Sequence, residues 1–268
     1  MSSEAKTHPY HMVKPSPWPI VSTLGAFTMA IGGIWYMQEG PLWLFLVGLA
    51  IVLLCMFGWW RDVVSEAQNG VDHTEVVQHG LRVGMVLFIA SEVMFFVAFF
   101  WAYFNSSVPA LSQAAHEVWP PEGIETVHTW GLPFINTVIL LMSGVTLTIA
   151  HHGLREGNTG KLKAWLLFTV LLGFLFLGLQ IFEYGETAFA FTDGIYPSTF
   201  FLATGFHGFH VFVGAVFLAV CLYRANKGHF TPKQHVGFEA AAWYWHFVDV
   251  VWIFLFIWVY WWGSYSVH

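Results

Sequence analysis

Seven long apolar runs dominate the sequence, and each is long enough to cross a membrane as a helix. A span needs about 20 residues, because ~30 Å of hydrocarbon is crossed at ~1.5 Å per helical residue. Charged residues make up only 10% of the chain, compared with about a quarter in soluble domains. The sequence therefore predicts an all-α polytopic membrane protein with seven transmembrane helices. The predicted spans are Trp18–Tyr36, Leu42–Trp60, Leu81–Phe104, Leu132–Ala150, Ala164–Tyr184, Ser198–Tyr223 and Ala240–Trp262.

The basic residues predict the orientation of these spans. With seven spans, all ten Lys and Arg residues fall on one side, in the N-terminal segment and the second, fourth and sixth loops. The residues are Lys6, Lys14, Arg61, Arg82, Arg155, Lys161, Lys163, Arg224, Lys227 and Lys233. The other loops carry acids instead, among them Glu39, Glu117, Glu122, Glu125, Glu186 and Asp193. Because basic loops stay inside, the N-terminus is predicted to lie in the cytoplasm or organelle matrix and the C-terminus on the opposite side.

Several classes of function have no support in the sequence. The formal net charge of −6 offers no basic surface for nucleic acid. We find no Walker motif, no glycine-rich dinucleotide loop and no Cys-x-x-Cys. Cys55 and Cys221 lie in apolar runs and are expected to be small core residues. The chain is therefore predicted to have no catalytic residue, no metal site and no nucleic-acid partner.

Glu92 is the polar residue that most constrains the function, because it lies in the middle of the third span. An ionised carboxylate at that depth costs roughly 2.5 kcal/mol or more. The residue must therefore be protonated, paired or facing a polar cavity. A proton relay, an anchor for a lipid head group and a structural hydrogen bond to another helix all remain open. Histidine is the natural partner, since no Lys or Arg lies within the membrane.

Two histidines of the sixth span, His207 and His210, share one helical face because they lie three residues apart. Imidazole is a common ligand, so a metal or haem site is one interpretation. Hydrogen bonding between helices in a polar seam is the interpretation that we favour.

A polar stripe follows the seventh span through Glu239, Trp243, His246 and Asp249. At ~100° per residue, Glu239 and His246 differ by only ~20° around the helix axis. We expect this stripe to be buried against protein rather than to face lipid. Glu183 and the pair His151-His152 could add to the same interior or to its interface.

An ordered set of motifs covers almost the whole chain. It includes Ser16-Pro17-Trp18-Pro19, Trp59-Trp60-Arg61-Asp62-Val63, Ser91-Glu92-Val93-Met94-Phe95-Phe96, Trp119-Pro120-Pro121, Gly205-Phe206-His207-Gly208-Phe209-His210 and the block from Gly237 to Trp252. Together these motifs closely resemble subunit III of the haem–copper cytochrome c oxidases.

The resemblance implies a non-redox accessory subunit of an oxidase in aerobic respiration. Such a subunit stabilises the catalytic subunit, supports its proton uptake and binds structural phospholipids. Haem and copper then belong to partner subunits, and the expected partners are subunit I, subunit II and small subunits. The resemblance also implies a single membrane domain over 1–268, in which helices 1–2 (about 18–60) splay from a five-helix bundle (about 81–262) across a lipid-filled cleft. The polar N-terminal segment favours a bacterial cell inner membrane with a periplasmic C-terminus; the mitochondrial inner membrane is the alternative.

The resemblance further implies two sets of lipid-binding residues. The first set is Trp59, Trp60, His73, Arg82 and Glu92, and the second is His210, Arg224, Lys227 and His229. Arg82 lies where the third span enters the inner leaflet, so its guanidinium suits a phosphate group. Positive-inside bias alone is the simpler explanation for several of these basic residues.

The sequence also allows two functions other than that of an accessory subunit. One is a haem b enzyme that uses His207 or His210 with His151 or His246. The other is a transporter of protons or small solutes that uses Glu92 and the polar stripe of the seventh span.

Overall fold

The computed structural model describes residues 8–69, 71–111 and 118–265. Lys6 and Glu117, two charges used above for the orientation, lie outside the described residues. The described ranges contain seven helices long and apolar enough to cross a membrane, which confirms the predicted all-α fold with seven spans. The helices are α1 (Trp18–Met37), α2 (Trp43–Gln68), α3 (Glu75–Ser107), α4 (Leu132–Arg155), α5 (Thr159–Glu186), α6 (Ile195–Asn226) and α7 (Val236–Leu255), which continues as a π-helical segment (Phe256–Trp262).

Several helices extend beyond the apolar runs that predict them. α2 continues to Gln68 rather than ending at Trp60, and α3 begins at Glu75 rather than at Leu81. The side chain of Thr74 accepts a hydrogen bond from the backbone N–H of Val77 at 3.4 Å, as an N-cap residue does. Polar residues extend a helix into the interface as readily as apolar ones, so hydropathy underestimates the helix length.

The chain divides into two compact units, Met1–Leu81 and Arg82–His268. In the first unit, α1 and α2 form an antiparallel helical hairpin with closely approaching backbones. A Cβ atom at Gly32 would lie 2.7 Å from the carbonyl carbon of Leu44, so only glycine fits there. The indole N–H of Trp18 donates to Asp62 Oδ2 at 2.7 Å and ties the start of α1 to the end of α2.

In the second unit, neighbouring helices pack in the order α4–α5–α6–α7, and α7 also contacts α4. Trp245 of α7 is fully buried and lies against Gly173 of α5 and Gly214 of α6. Its indole N–H donates to Ser143 Oγ of α4 at 2.8 Å, so one side chain joins four helices. Two helical turns further along α7, Trp252 Nε1 donates to Thr137 Oγ1 of α4 at 2.9 Å. Such polar contacts hold helices together where hydrophobic burial gives no preference over lipid.

Candidate functional site

Glu92 of α3 and His210 of α6 form a direct pair. Glu92 Oε2 lies 2.7 Å from His210 Nε2, and the other ring nitrogen, Nδ1, lies 2.6 Å from the carbonyl oxygen of Phe206. The side chain of His210 is 7% exposed and that of Glu92 23% exposed. The ring of Phe96 packs 4.8 Å from the imidazole, centroid to centroid. The chain therefore supplies the partner that the intramembrane carboxyl requires.

These two hydrogen bonds constrain the protons of the pair. Because Nδ1 faces a carbonyl oxygen, it must carry a hydrogen and donate it. The contact between Nε2 and Glu92 Oε2 then needs one further proton, held either by the imidazole or by the carboxyl group. The pair is either an imidazolium with a carboxylate or a neutral imidazole with a carboxylic acid. Both forms have zero net charge, which is the condition for burial at this depth.

Glu239 is the centre of a second ionic cluster, at the start of α7. Its Oε2 accepts a hydrogen bond from Arg82 Nε of α3 at 2.7 Å. Its Oε1 lies 3.3 Å from Nε2 of His235, one helical turn earlier. The Arg82 and Glu239 side chains are 35% and 18% exposed. Arg82, predicted to bind a lipid phosphate, therefore has a carboxylate partner within this chain.

His207 is fully buried, and it does not join the pair formed by Glu92 and His210. Its Nε2 donates to the carbonyl oxygen of Val248 of α7 at 3.1 Å, and its Nδ1 has no hydrogen-bond partner in the described residues. The ring packs 5.0 Å from the ring of Trp252. Since both nitrogens of His210 are engaged, the two histidines do not together present free ligand atoms to a haem.

The prediction that the polar stripe of α7 is buried is wrong at His246. Asp249 is buried, but the His246 side chain is 46% exposed. The two residues still form a contact, with His246 Nδ1 at 3.5 Å from Asp249 Oδ2. A separation of three residues turns the imidazole about 60° away from the carboxylate. The ring therefore lies at the rim of a groove between α4 and α7, where His151 and Trp243 also line the wall.

Glu183 of α5 is 2% exposed, which makes it more buried than Asp249, the other buried acid of the described residues. Its Oε1 accepts hydrogen bonds from Tyr260 Oη at 2.6 Å and from Gln180 Nε2 at 3.1 Å. Gln180 also donates to Tyr260 Oη at 3.2 Å. This network of hydrogen bonds joins α5 to the π-helical segment.

The residues predicted to bind lipid lie in both units. In the first unit Trp59 and Trp60 are exposed, by 40% and 59%, and His73 is partly buried. In the second unit the guanidinium of Arg224 lies over the ring of Phe230 at 4.5 Å, and Lys227 is exposed. Burial and the neighbouring positive charges of Arg224 and Lys227 lower the pKa of His229.

Sequence reasoning singled out Glu92, His210, Arg82 and Glu239 but not the pairs that they form. His235 was absent from the predicted site, although it contacts Glu239. The signal that could have found it is the four-residue spacing to Glu239, which places both side chains on one face of a helix.

This chain has the pattern of a polytopic helical membrane protein in which several ionisable groups, among them Glu92, His210 and Glu239, are paired inside the bundle. The family model described as "Cytochrome c oxidase subunit III" matches residues 8–264. Proteins named cytochrome c oxidase subunit 3 from Marchantia polymorpha and Arabidopsis thaliana are each 54% identical to it, over 98% and 97% of this chain and 99% of their own lengths. That of Rattus norvegicus is 52% identical over 97% of this chain and 99% of its own length.

The chain belongs to the cytochrome c oxidase subunit III family. It is a multi-pass membrane component of a respiratory oxidase and associates with other subunits of that complex.

Proposed function

We propose that the chain is a non-redox accessory subunit that stabilises the catalytic subunit, supports its proton uptake and binds structural phospholipids. The observation that carries this proposal is the pairing of the intramembrane ionisable groups with one another, as in Glu92–His210 and Glu183–Tyr260. Groups that hydrogen-bond from one helix to another in this way hold the bundle together. In this proposal haem and copper are held by the partner subunits.

The exposed imidazole of His246 supports a contact between α7 and another oxidase subunit. It lies near the middle of a membrane span, with the buried carboxylate of Asp249 behind it. A titratable group facing lipid at that depth is costly, whereas a protein neighbour can hydrogen-bond to it. We therefore assign the groove between α4 and α7 to the interface with the catalytic subunit. Subunit II and small subunits are further partners in this proposal.

Support for proton uptake comes from the proton shared by Glu92 and His210. The pair can change from imidazolium–carboxylate to imidazole–carboxylic acid without a change of net charge, so it can hold a proton close to lipid at low cost. To supply a proton to a neighbouring subunit, the pair would release this shared proton, which leaves a neutral imidazole beside a carboxylate with a net charge of −1, and would then take up another proton from the aqueous side. This role does not require the chain to move protons alone, so we prefer it to a transporter.

The lipid-binding role rests on exposed aromatic and basic residues. Trp59 and Trp60 are exposed as interfacial tryptophans are, and Lys227 is an exposed cation that lies over the ring of Tyr223 and can meet a phosphate. Arg82 can do so only with the guanidinium nitrogens that it does not use for Glu239. The lipid-filled cleft between helices 1–2 and the other five stays a prediction, as does the bacterial inner membrane.

The experiment that tests the accessory role compares the purified oxidase with and without this chain. Both preparations should show the same haem spectrum and begin oxygen reduction at similar rates. The complex that lacks the chain should lose activity after fewer turnovers, because its catalytic subunit loses lipid and protein support. A control with added phospholipid separates loss of lipid from loss of protein. No oxygen reduction from the start, or an unchanged lifetime, would contradict the proposal.

A further inference from the structure

Three side chains with metal-binding atoms meet where the end of α4 approaches the start of α7. His151 lies in the penultimate turn of α4, His235 immediately precedes α7, and Glu239 lies in its first turn. One nitrogen of each imidazole and one carboxylate oxygen all lie within 4.8 Å of one another. His235 is 8% exposed and Glu239 18% exposed, so the group is largely shielded from solvent.

The hydrogen bonds around this group leave its electron pairs uncompensated. His235 Nδ1 lies 2.9 Å from the carbonyl oxygen of Thr231 and donates its hydrogen there. In the neutral imidazole, Nε2 then directs a lone pair at Glu239 Oε1, 3.3 Å away. Nε2 of His151 is buried and has no hydrogen-bond partner in the described residues. When Nε2 is also the unprotonated nitrogen of His151, two lone pairs and a carboxylate oxygen meet at this separation, an arrangement that a cation, either a proton or a metal ion, stabilises.

We propose that His151, His235 and Glu239 bind a divalent metal ion, and that Zn²⁺ is the ion that fits them best. Zinc binds imidazole nitrogen and carboxylate oxygen at about 2.0–2.2 Å, so two ligands of a tetrahedral ion lie about 3.3–3.6 Å apart. The distance of 3.3 Å between His235 Nε2 and Glu239 Oε1 already matches this value. His151, whose ring centroid lies 5.7 Å from that of His235, reaches the ion by a small rotation of its side chain.

The surroundings support two of the three ligands, His235 and Glu239, as they do in known zinc sites. Thr231 fixes the tautomer of His235, and Arg82 Nε holds Glu239 Oε2 at 2.7 Å, which leaves Oε1 for the ion. A cavity of ≈ 210 Å³ borders His151. The positive charge of Arg82 opposes the ion, so we expect weaker binding than at a closed structural zinc site.

This inference does not depend on the proposed accessory role. Zinc has no redox chemistry, and here it would fasten the end of α4 to the start of α7. The ion would take the place of the proton that otherwise separates His235 from Glu239.

The test uses the purified oxidase complex that contains this chain, depleted of loosely held metal and titrated with Zn²⁺ alone. Bound zinc is measured by mass spectrometry of the metal and by calorimetry, for the wild type and for His151→Gln and His235→Gln. Each variant should lose one equivalent of bound zinc or bind it at least about tenfold more weakly. Removing the His151 imidazole breaks no hydrogen bond of its Nε2 within the part of the chain that the structure describes, so that variant should still assemble.

His152→Gln is the matched control, because His152 is adjacent in sequence and exposed but lies outside the three-residue group. It should bind as much zinc as the wild type. Equal zinc binding by the wild type and His151→Gln would overturn the proposal, as would an equal loss in His152→Gln. X-ray absorption at the zinc edge should show two imidazoles in the wild type; their absence would also overturn it.

Discussion

The backbone carbonyl of Phe206 governs the chemistry of the Glu92–His210 pair. By accepting the hydrogen of Nδ1, it leaves Nε2 as the atom that shares a proton with the carboxyl group. The amide of glutamine can replace that interaction, since its N–H donates to the lone pair of a neutral Nε2. An aliphatic residue cannot, and it would leave a buried nitrogen unpaired at a cost of about 1–3 kcal/mol.

We predict that Glu92→Gln leaves assembly and haem content of the complex unchanged and alters proton uptake modestly. The amide keeps the hydrogen bond to His210 but removes the shared proton. Proton uptake is measured with a pH-indicator dye during single-turnover oxygen reduction. Glu92→Leu is the comparison and should lower the thermal stability of the complex as well. Complete loss of oxygen reduction in Glu92→Gln would show that this residue belongs to the catalytic route.

The sequence identifies Glu92 and the need for a histidine partner, because the cost of a lone charge in lipid is a general rule. It does not identify which histidine, since that depends on how α3 and α6 pack. The error at His246 has a similar origin. A helical wheel gives the direction of a side chain around its own axis, but not which neighbouring helix fills that direction. Arg82 was assigned to lipid for the same reason, because Glu239 is 157 residues away in the chain.

At the scale of the helices, Trp245 determines how α7 docks against its neighbours. A Cβ atom at Gly173 would lie 2.6 Å from the indole, and one at Gly214 would lie 2.8 Å from it. Neither separation is tolerated, so both glycines are needed for α7 to approach α5 and α6. The hydrophobic runs predict that these three helices exist, but the fit of one indole between two glycines follows only from their packing.

We predict that Gly173→Ala destabilises the protein by about 1–3 kcal/mol, because the new methyl group displaces Trp245 from a well-packed position. Gly178→Ala on the same helix is the control, since nothing lies within 4 Å of its added Cβ. That change should be neutral or stabilise α5 by up to ~1 kcal/mol, as alanine favours the helix. Thermal unfolding in detergent, followed by circular dichroism, measures both. Equal effects of the two substitutions would refute this account.

At the scale of the whole molecule, the asymmetric distribution of basic residues predicts the orientation. An odd number of spans places the two termini on opposite sides, and the seven helices of the described ranges satisfy that condition. The number of spans was predictable because hydropathy is a local property. The ends of α2 and α3 were not, because interfacial polar residues continue both helices.

We expect the N-terminus inside and the C-terminus outside. In a bacterial host, alkaline phosphatase fused to the C-terminus should be active, because the enzyme folds only outside the cytoplasm. Green fluorescent protein at the same position should stay dark, and at the N-terminus it should fluoresce. A fluorescent C-terminal fusion would contradict the predicted orientation.

The pairing of Glu92 with His210 also constrains how the chain is synthesised. The two residues are 118 positions apart, and at about 5–20 residues per second the ribosome needs on the order of 6–24 s to make that stretch. During this interval α3 has reached the translocon and α6 does not yet exist. Glu92 must therefore enter the bilayer as the neutral acid, or α3 must wait beside the insertion machinery until its histidine arrives.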